Sequence, residues 1–111
     1  MSTLPAAAAP CGLVLSQPET AVLADTFKLL GDTTRLSILL CCLNAPRSVG
    51  EIAEALDQSQ SLVSHHLRLL RAARLVRGER QSRQVFYSLS DAHVSDMLHV
   101  MAHHIAEERS A

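Results

Sequence analysis

Tryptophan is absent from this 111-residue chain, tyrosine occurs once and phenylalanine twice. Such scarcity excludes a core built on large rings. The 48% of residues that are hydrophobic must therefore pack as Leu, Val, Ile and Ala, the interior of a mostly α protein with few strands. Cysteine is also sparse: Cys11, Cys41 and Cys42 are odd in number and lack Cys-x-x-Cys spacing. That excludes a disulfide framework and points to a reducing compartment, the cytoplasm. No apolar run approaches the roughly eighteen residues that span a bilayer, and no basic residues open the N-terminus as in a signal peptide. A membrane partner is not expected. Neither a nucleophile motif nor a phosphate loop is present, so the chain does not read as an enzyme.

The length suits one domain. Residues 1–18, with Pro5, Pro10, Pro18 and the run Ala6 to Ala9, read as a flexible N-terminal arm. Residues 19–111 read as the folded part. Ala21, Val22, Leu23, Phe27 and Leu30 support a first helix that Gly31 stops, and Asp32 or Thr33 can cap a second through Leu36, Leu39, Leu40 and Leu43. Ser48 caps a short third helix, with Glu51 completing a capping-box pattern. After a break at Asp57 to Gln60, a fourth helix runs to about Ala73. A short helix, a tight turn and a longer helix make a helix-turn-helix pattern. Leu75 to Arg77 and Val85 to Leu89 are β-prone runs around the polar stretch Gly78 to Gln84, which predicts a hairpin wing. Asp91 opens a last helix through Glu108. The expected fold is a winged helix-turn-helix in the order α-α-α-α-β-β-α, with a small β-hairpin.

The net charge of −1 hides an uneven distribution. Residues 58–90 contain Arg68, Arg71, Arg74, Arg77, Arg80 and Arg83 against the single acid Glu79, and local positive charge of this kind is what phosphates meet. At about 100° per residue, Val63, Leu67 and Leu70 share one stripe of the fourth helix while Ser61, Ser64, His65 and Arg68 lie opposite. Hydroxyls, an imidazole and a guanidinium suit the base edges of a major groove. The expected contacts to double-stranded DNA are Gln60, Ser61, Ser64, His65 and Arg68 on the helix, with Arg80 and Arg83 of the wing reaching the minor groove or phosphates.

Four of the six histidines fall in the last helix. Its apolar stripe of Val94, Met97, Leu98, Met101, Ala102 and Ile105 predicts packing against the same helix of a second subunit, and hence a homodimer. His93, His104 and Glu107 lie along one edge of that stripe, but His93 and His104 stand about 16 Å apart along the axis. One helix cannot close a site from both. An antiparallel partner brings His104 and Glu107 of one subunit opposite His93 of the other, with Asp91 as fourth ligand. Two imidazoles and two carboxylates suit Zn(II) or Co(II) better than thiophilic metals. His99 and His103 lie further round and read as solvent-facing, with His103 a substitute ligand. The same donors with an open coordination position would describe a hydrolytic metal centre, for which the sequence offers no further support.

Residues 19–108 resemble the ArsR/SmtB family of metal-responsive winged-helix repressors. The likeness is carried by Leu30-Gly31-Asp32-Thr33-Thr34-Arg35-Leu36, Val49-Gly50-Glu51-Ile52-Ala53, Ser61-Leu62-Val63-Ser64-His65-His66-Leu67 and Arg83-Gln84-Val85-Phe86-Tyr87. Asp91, His93, His104 and Glu107 have the spacing of that family's zinc site between paired C-terminal helices. The resemblance implies an apo homodimer that represses by binding operator DNA and is released by Zn(II), with Co(II) or Ni(II) as other candidates, so that metal efflux or sequestration genes are derepressed. The thiolates of the family's arsenic and cadmium sensors are missing, since Ser48-Val49-Gly50-Glu51 occupies their place at the third helix. The competing expectation is a thiol- or redox-responsive repressor of the same fold using Cys41 and Cys42, although adjacent helical residues point about 100° apart.

Overall fold

The computed structural model describes residue 12 and residues 14–110; most of the expected arm, Cys11 included, lies outside the described residues. The chain divides after Asp32 into two units. In the first, helix α1 spans Gln17–Leu30. Its start lies two residues before the expected one because Ser16 forms a capping box: its hydroxyl accepts the Glu19 N–H at 3.2 Å, and its own N–H donates to Glu19 Oε1 at 2.9 Å. The Ser16 N–H, and secondarily the Ser16 side chain, hold the Glu19 carboxyl below its ordinary pKa. Val22, Leu23 and Phe27 remain exposed.

The second unit carries α2 (Thr33–Cys41), β1 (Arg47–Ser48), α3 (Val49–Leu56), α4 (Gln60–Ala72), β2 (Val76–Gln81), β3 (Gln84–Leu89) and α5 (Ala92–Ser110). Helix α2 stops before the expected Leu43, because Cys42 and Leu43 close onto carbonyls three residues back and tighten the last turn. The core is aliphatic as the composition required. Ile38 and Leu39 of α2, Ile52 of α3, and Val63, Leu67 and Leu70 of α4 are at most 1% exposed. Each such side chain contributes roughly 1.5–3 kcal/mol by leaving water, enough together to seat α4 firmly on α2 and α3.

Two features of the sheet differ from expectation. The order is β1-β3-β2, all antiparallel, so a third strand joins the hairpin. It is only Arg47 and Ser48, paired with Tyr87 and Phe86, and two residues cannot display a period. The observed order is therefore α-α-β-α-α-β-β-α. The wing is also longer than the β-prone runs suggested: β2 and β3 pair from Val76↔Leu89 to Gln81↔Gln84, leaving only Ser82 and Arg83 as the turn. Ser82 takes the left-handed conformation there, φ 58°. Most of the outer hairpin is exposed, so backbone pairing rather than burial extends it.

Candidate nucleic-acid interface and metal ligands

Helix α3 begins at a buried Ser48, whose hydroxyl accepts the Glu51 N–H at 3.2 Å while its N–H donates to Glu51 Oε1 at 2.9 Å. It ends where Asp57 turns left-handed, φ 54°, and Gln58 N–H donates to the Ala53 carbonyl at 2.9 Å. Two residues later Ser59 caps α4 by accepting the Leu62 N–H at 3.1 Å. This tight turn fixes one helix on the other. Arg35 of α2 adds a guanidinium nitrogen 3.5 Å from His66 Nδ1.

With Val63, Leu67 and Leu70 buried, Gln60, Ser61, His65 and Arg68 are exposed and Ser64 is half-buried on the outer face of α4. The first turn carries no acid. Arg80 and Arg83 are exposed on the wing, Arg80 in β2 and Arg83 in the turn. An open recess of about 390 Å³ joins the two parts, lined by Gln60 and Ser64 of α4, Gly50 of α3, and Arg83, Val85 and Tyr87 of the wing. Sequence reasoning did not place Tyr87 or Gly50 in this site. The signal for Tyr87 was strand alternation, since Arg83, Val85 and Tyr87 recur at period two. Tyr87 lies opposite Gly78, where an added Cβ would meet its ring at 3.0 Å.

The far end of α4 closes by the same kind of turn as α3. Arg74 is left-handed, φ 61°; its N–H donates to the Arg71 carbonyl at 3.0 Å, and the Leu75 N–H donates to the Leu70 carbonyl at 2.9 Å.

On α5, Asp91 accepts the Val94 N–H at 3.1 Å and so caps the helix, with its Oδ1 3.6 Å from His93 Nδ1. Glu107 Oε2 lies 3.7 Å from Nε2 of His103, which is exposed as expected and sits beside the expected ligand. All six side chains of the expected ligand set and its neighbours, Asp91, His93, His99, His103, His104 and Glu107, are exposed. Within one protomer the fold brings Asp91 to His93 but not to His104 or Glu107, and no group of three or more His, Cys, Asp or Glu among the described residues can hold one ion. Imidazole and carboxylate thus stand together at each end of α5, Asp91 with His93 and Glu107 with His103, a donor chemistry that would fit Zn(II) or Co(II) if two such ends met. Leu98 alone of the apolar stripe is buried; Met101 and Ile105 are 50% and 60% exposed.

Burial pushes the Cys42 thiol up to about 12 and raises Cys41 less, with Arg47 opposing both shifts. A reactive thiol requires the opposite shift.

A family model described as the bacterial regulatory protein, arsR family, matches residues 32–77. The chain is 37% identical over 94 residues to the transcriptional repressor SmtB homolog of Synechocystis, covering 85% of this chain and 71% of that protein. It is 41% identical over 90 residues to the HTH-type transcriptional regulator NmtR of Mycobacterium tuberculosis, covering 81% and 75%. The solution structure of apo-NmtR superposes with a TM-score of 0.72 at 40% identity, over 84% of this chain and 78% of that one. The homodimeric winged helix-turn-helix DNA-binding domain of Mb0332 from Mycobacterium bovis gives 0.72 at 25% identity, over 89% and 92%.

Proposed function

Since this chain belongs to the arsR family of bacterial regulatory proteins, winged-helix regulators that bind operator DNA as homodimers, we propose that it is a metal-sensing repressor whose apo dimer holds the operator and whose metal-bound dimer releases it. The observation that supports this reading is the approach of Asp91 to His93 at the start of α5, with His104 and Glu107 following about three turns on at the spacing of a second donor pair. His93, His104 and Glu107 recur within about 40° of one helical direction, so an antiparallel partner places one protomer's first donor pair against the other's second. The exposed Met101 and Ile105 on the same helix would supply the apolar surface that such a partner covers. Asp91, His93, His104 and Glu107 would hold Zn(II) there, and the bound ion would favour one spacing of the two helices. Asp91 and His93 would hold their end of the pair, and Glu107, now 3.7 Å from His103, would have to turn to His104 to complete the other.

On the output side, Gln60, Ser61, Ser64, His65 and Arg68 read base edges, while Arg80 and Arg83 fix the register on phosphates or in the minor groove. Release requires that the metal bind the two dimer shapes unequally, since a ligand indifferent to shape shifts nothing. Metal efflux or sequestration genes are the expected targets, and Zn(II), Co(II) and Ni(II) the candidate signals. The raised thiol pKa values give no support to a sensor built on Cys41 and Cys42.

Subunit mixing tests the shared site. A dimer of Asp91→Ala/His93→Ala chains and a dimer of His104→Ala chains should each fail to give the absorption bands of tetrahedral Co(II). Mixing them creates heterodimers with one intact site, so the bands should return. Bands in either parent, or none after mixing, would count against an intersubunit site.

A further inference from the structure

Ser90 lies between the two parts of this machine. Its hydroxyl donates to the Arg74 carbonyl at 2.6 Å and its N–H to the Leu75 carbonyl at 3.1 Å. Those two carbonyls belong to the turn that ends α4, and Leu75 leads into β2. The next residue is Asp91, cap of α5 and member of the first donor pair. One residue therefore connects the start of the metal-bearing helix to the end of the reading helix and the root of the wing. The turn it grips is not relaxed. Arg74 holds φ 61° without being glycine, a conformation that persists only where the surroundings enforce it. Ser90 is among those surroundings.

We infer that Ser90 is the positioning residue that couples the α5 ligands to the reading helix, its hydroxyl passing a displacement of Asp91 to the Arg74 turn. The inference rests on the metal-site reading above. A shift of Asp91 toward a partner's donors moves residue 90, which is bonded to it covalently. Because Ser90 grips two successive carbonyls, the turn follows or loses a bond. The buried Val63, Leu67 and Leu70 hold α4 as one body, so a movement at Arg74 re-aims the whole reading face. The wing root moves with it through Leu75. Removing the hydroxyl leaves the N–H bond and the donor set intact and takes away one of the two grips.

The test is operator anisotropy with and without saturating Zn(II), on wild type, Ser90→Ala and Ser90→Thr, beside Zn(II) stoichiometry for each. In wild type the metal should weaken operator binding by a factor in the common range for coupled sites, about 5–150-fold. Ser90→Ala should bind the same number of ions and the apo operator as wild type does, yet show a metal effect smaller by about threefold or more. Ser90→Thr, which keeps the hydroxyl, should restore it. A Ser90→Ala protein with the full metal effect overturns the coupling role. So does one that loses apo operator binding, which would mark Ser90 as structural, or a Ser90→Thr protein as uncoupled as the alanine variant. A wild-type protein whose operator binding ignores Zn(II) overturns the metal reading itself, and the coupling falls with it.

Discussion

Replacing Gly78 by alanine sets two effects of opposite sign against each other. Gly78 lies within β2 opposite Tyr87, and its φ is not in the left-handed region, so the backbone accepts a side chain. Stiffening the unfolded chain would by itself stabilise the fold by about 0.4–1 kcal/mol. Against that, the new Cβ would stand 2.9 Å from Val85 Cγ1 and 3.0 Å from Tyr87 Cε1. Val85 is β-branched and cannot rotate away cheaply, and the Tyr87 ring borders the recess shared with α3 and α4. Overpacking of this kind costs about 1–3 kcal/mol. The clash wins, and the net loss should be about 1–2 kcal/mol, or roughly 4–8 °C in Tm for each kcal/mol. Displacing Tyr87 also deforms the surface between wing and reading helix, so operator affinity should fall. Urea unfolding at one fixed protein concentration reads the first effect and anisotropy on a selected duplex the second; holding concentration fixed matters because dimerisation adds to apparent stability. A Gly78→Ala protein as stable as wild type or more so, with unchanged operator affinity, would refute the reasoning.

Ser48→Ala removes the buried cap of α3 and leaves the Glu51 N–H without its acceptor, which should cost about 1–2 kcal/mol in urea unfolding, more than the exposed cap variant Ser59→Ala. Arg68→Ala should cost about 1–3 kcal/mol of operator binding and relax sequence preference, whereas Arg80→Ala should weaken all duplexes alike and reduce the salt slope by about one; identical profiles for the two would contradict the division of roles. The Cys42 thiol is pushed from 9.0 to about 12 in the fold, so between those values the unfolded chain holds fewer protons than the native one. Its contribution is intact below pH 9 and is lost as pH rises toward 12, at up to roughly 1.4 kcal/mol per pH unit. Urea midpoints of wild type and Cys42→Ala across that window should converge with rising pH, and parallel curves would rule the effect out.

What could be read from the chain follows from where burial acts. The stripe Val63, Leu67, Leu70 is fully buried, so its spacing announced both α4 and the opposite face of Ser61, His65 and Arg68. Ser48 and Glu51 announced α3 because a capping box is a local device whose partners are three residues apart. The outer half of the wing is not legible in the sequence because Glu79 to Gln84 are exposed and carry no hydrophobic period. Strand β1 has no sequence signature because two residues, one of them also a helix cap, leave no pattern of their own. Tyr87 was visible as part of a β-prone run, but its place beside Gln60 and Ser64 depends on the hairpin folding back against α4. The metal donors are legible as helical spacing. A meeting of the two ends, as proposed, would need a second chain, and among the described residues of one protomer no three donors come together.

The central claim is that metal at α5 lowers operator affinity. It is tested most directly by titrating Zn(II) into the dimer bound to a fluorescent operator duplex, with the His104→Ala protein alongside. Loss of anisotropy in wild type, reversed by chelation and absent in His104→Ala, is the predicted result. A wild-type complex that keeps its full anisotropy at saturating Zn(II) would contradict it.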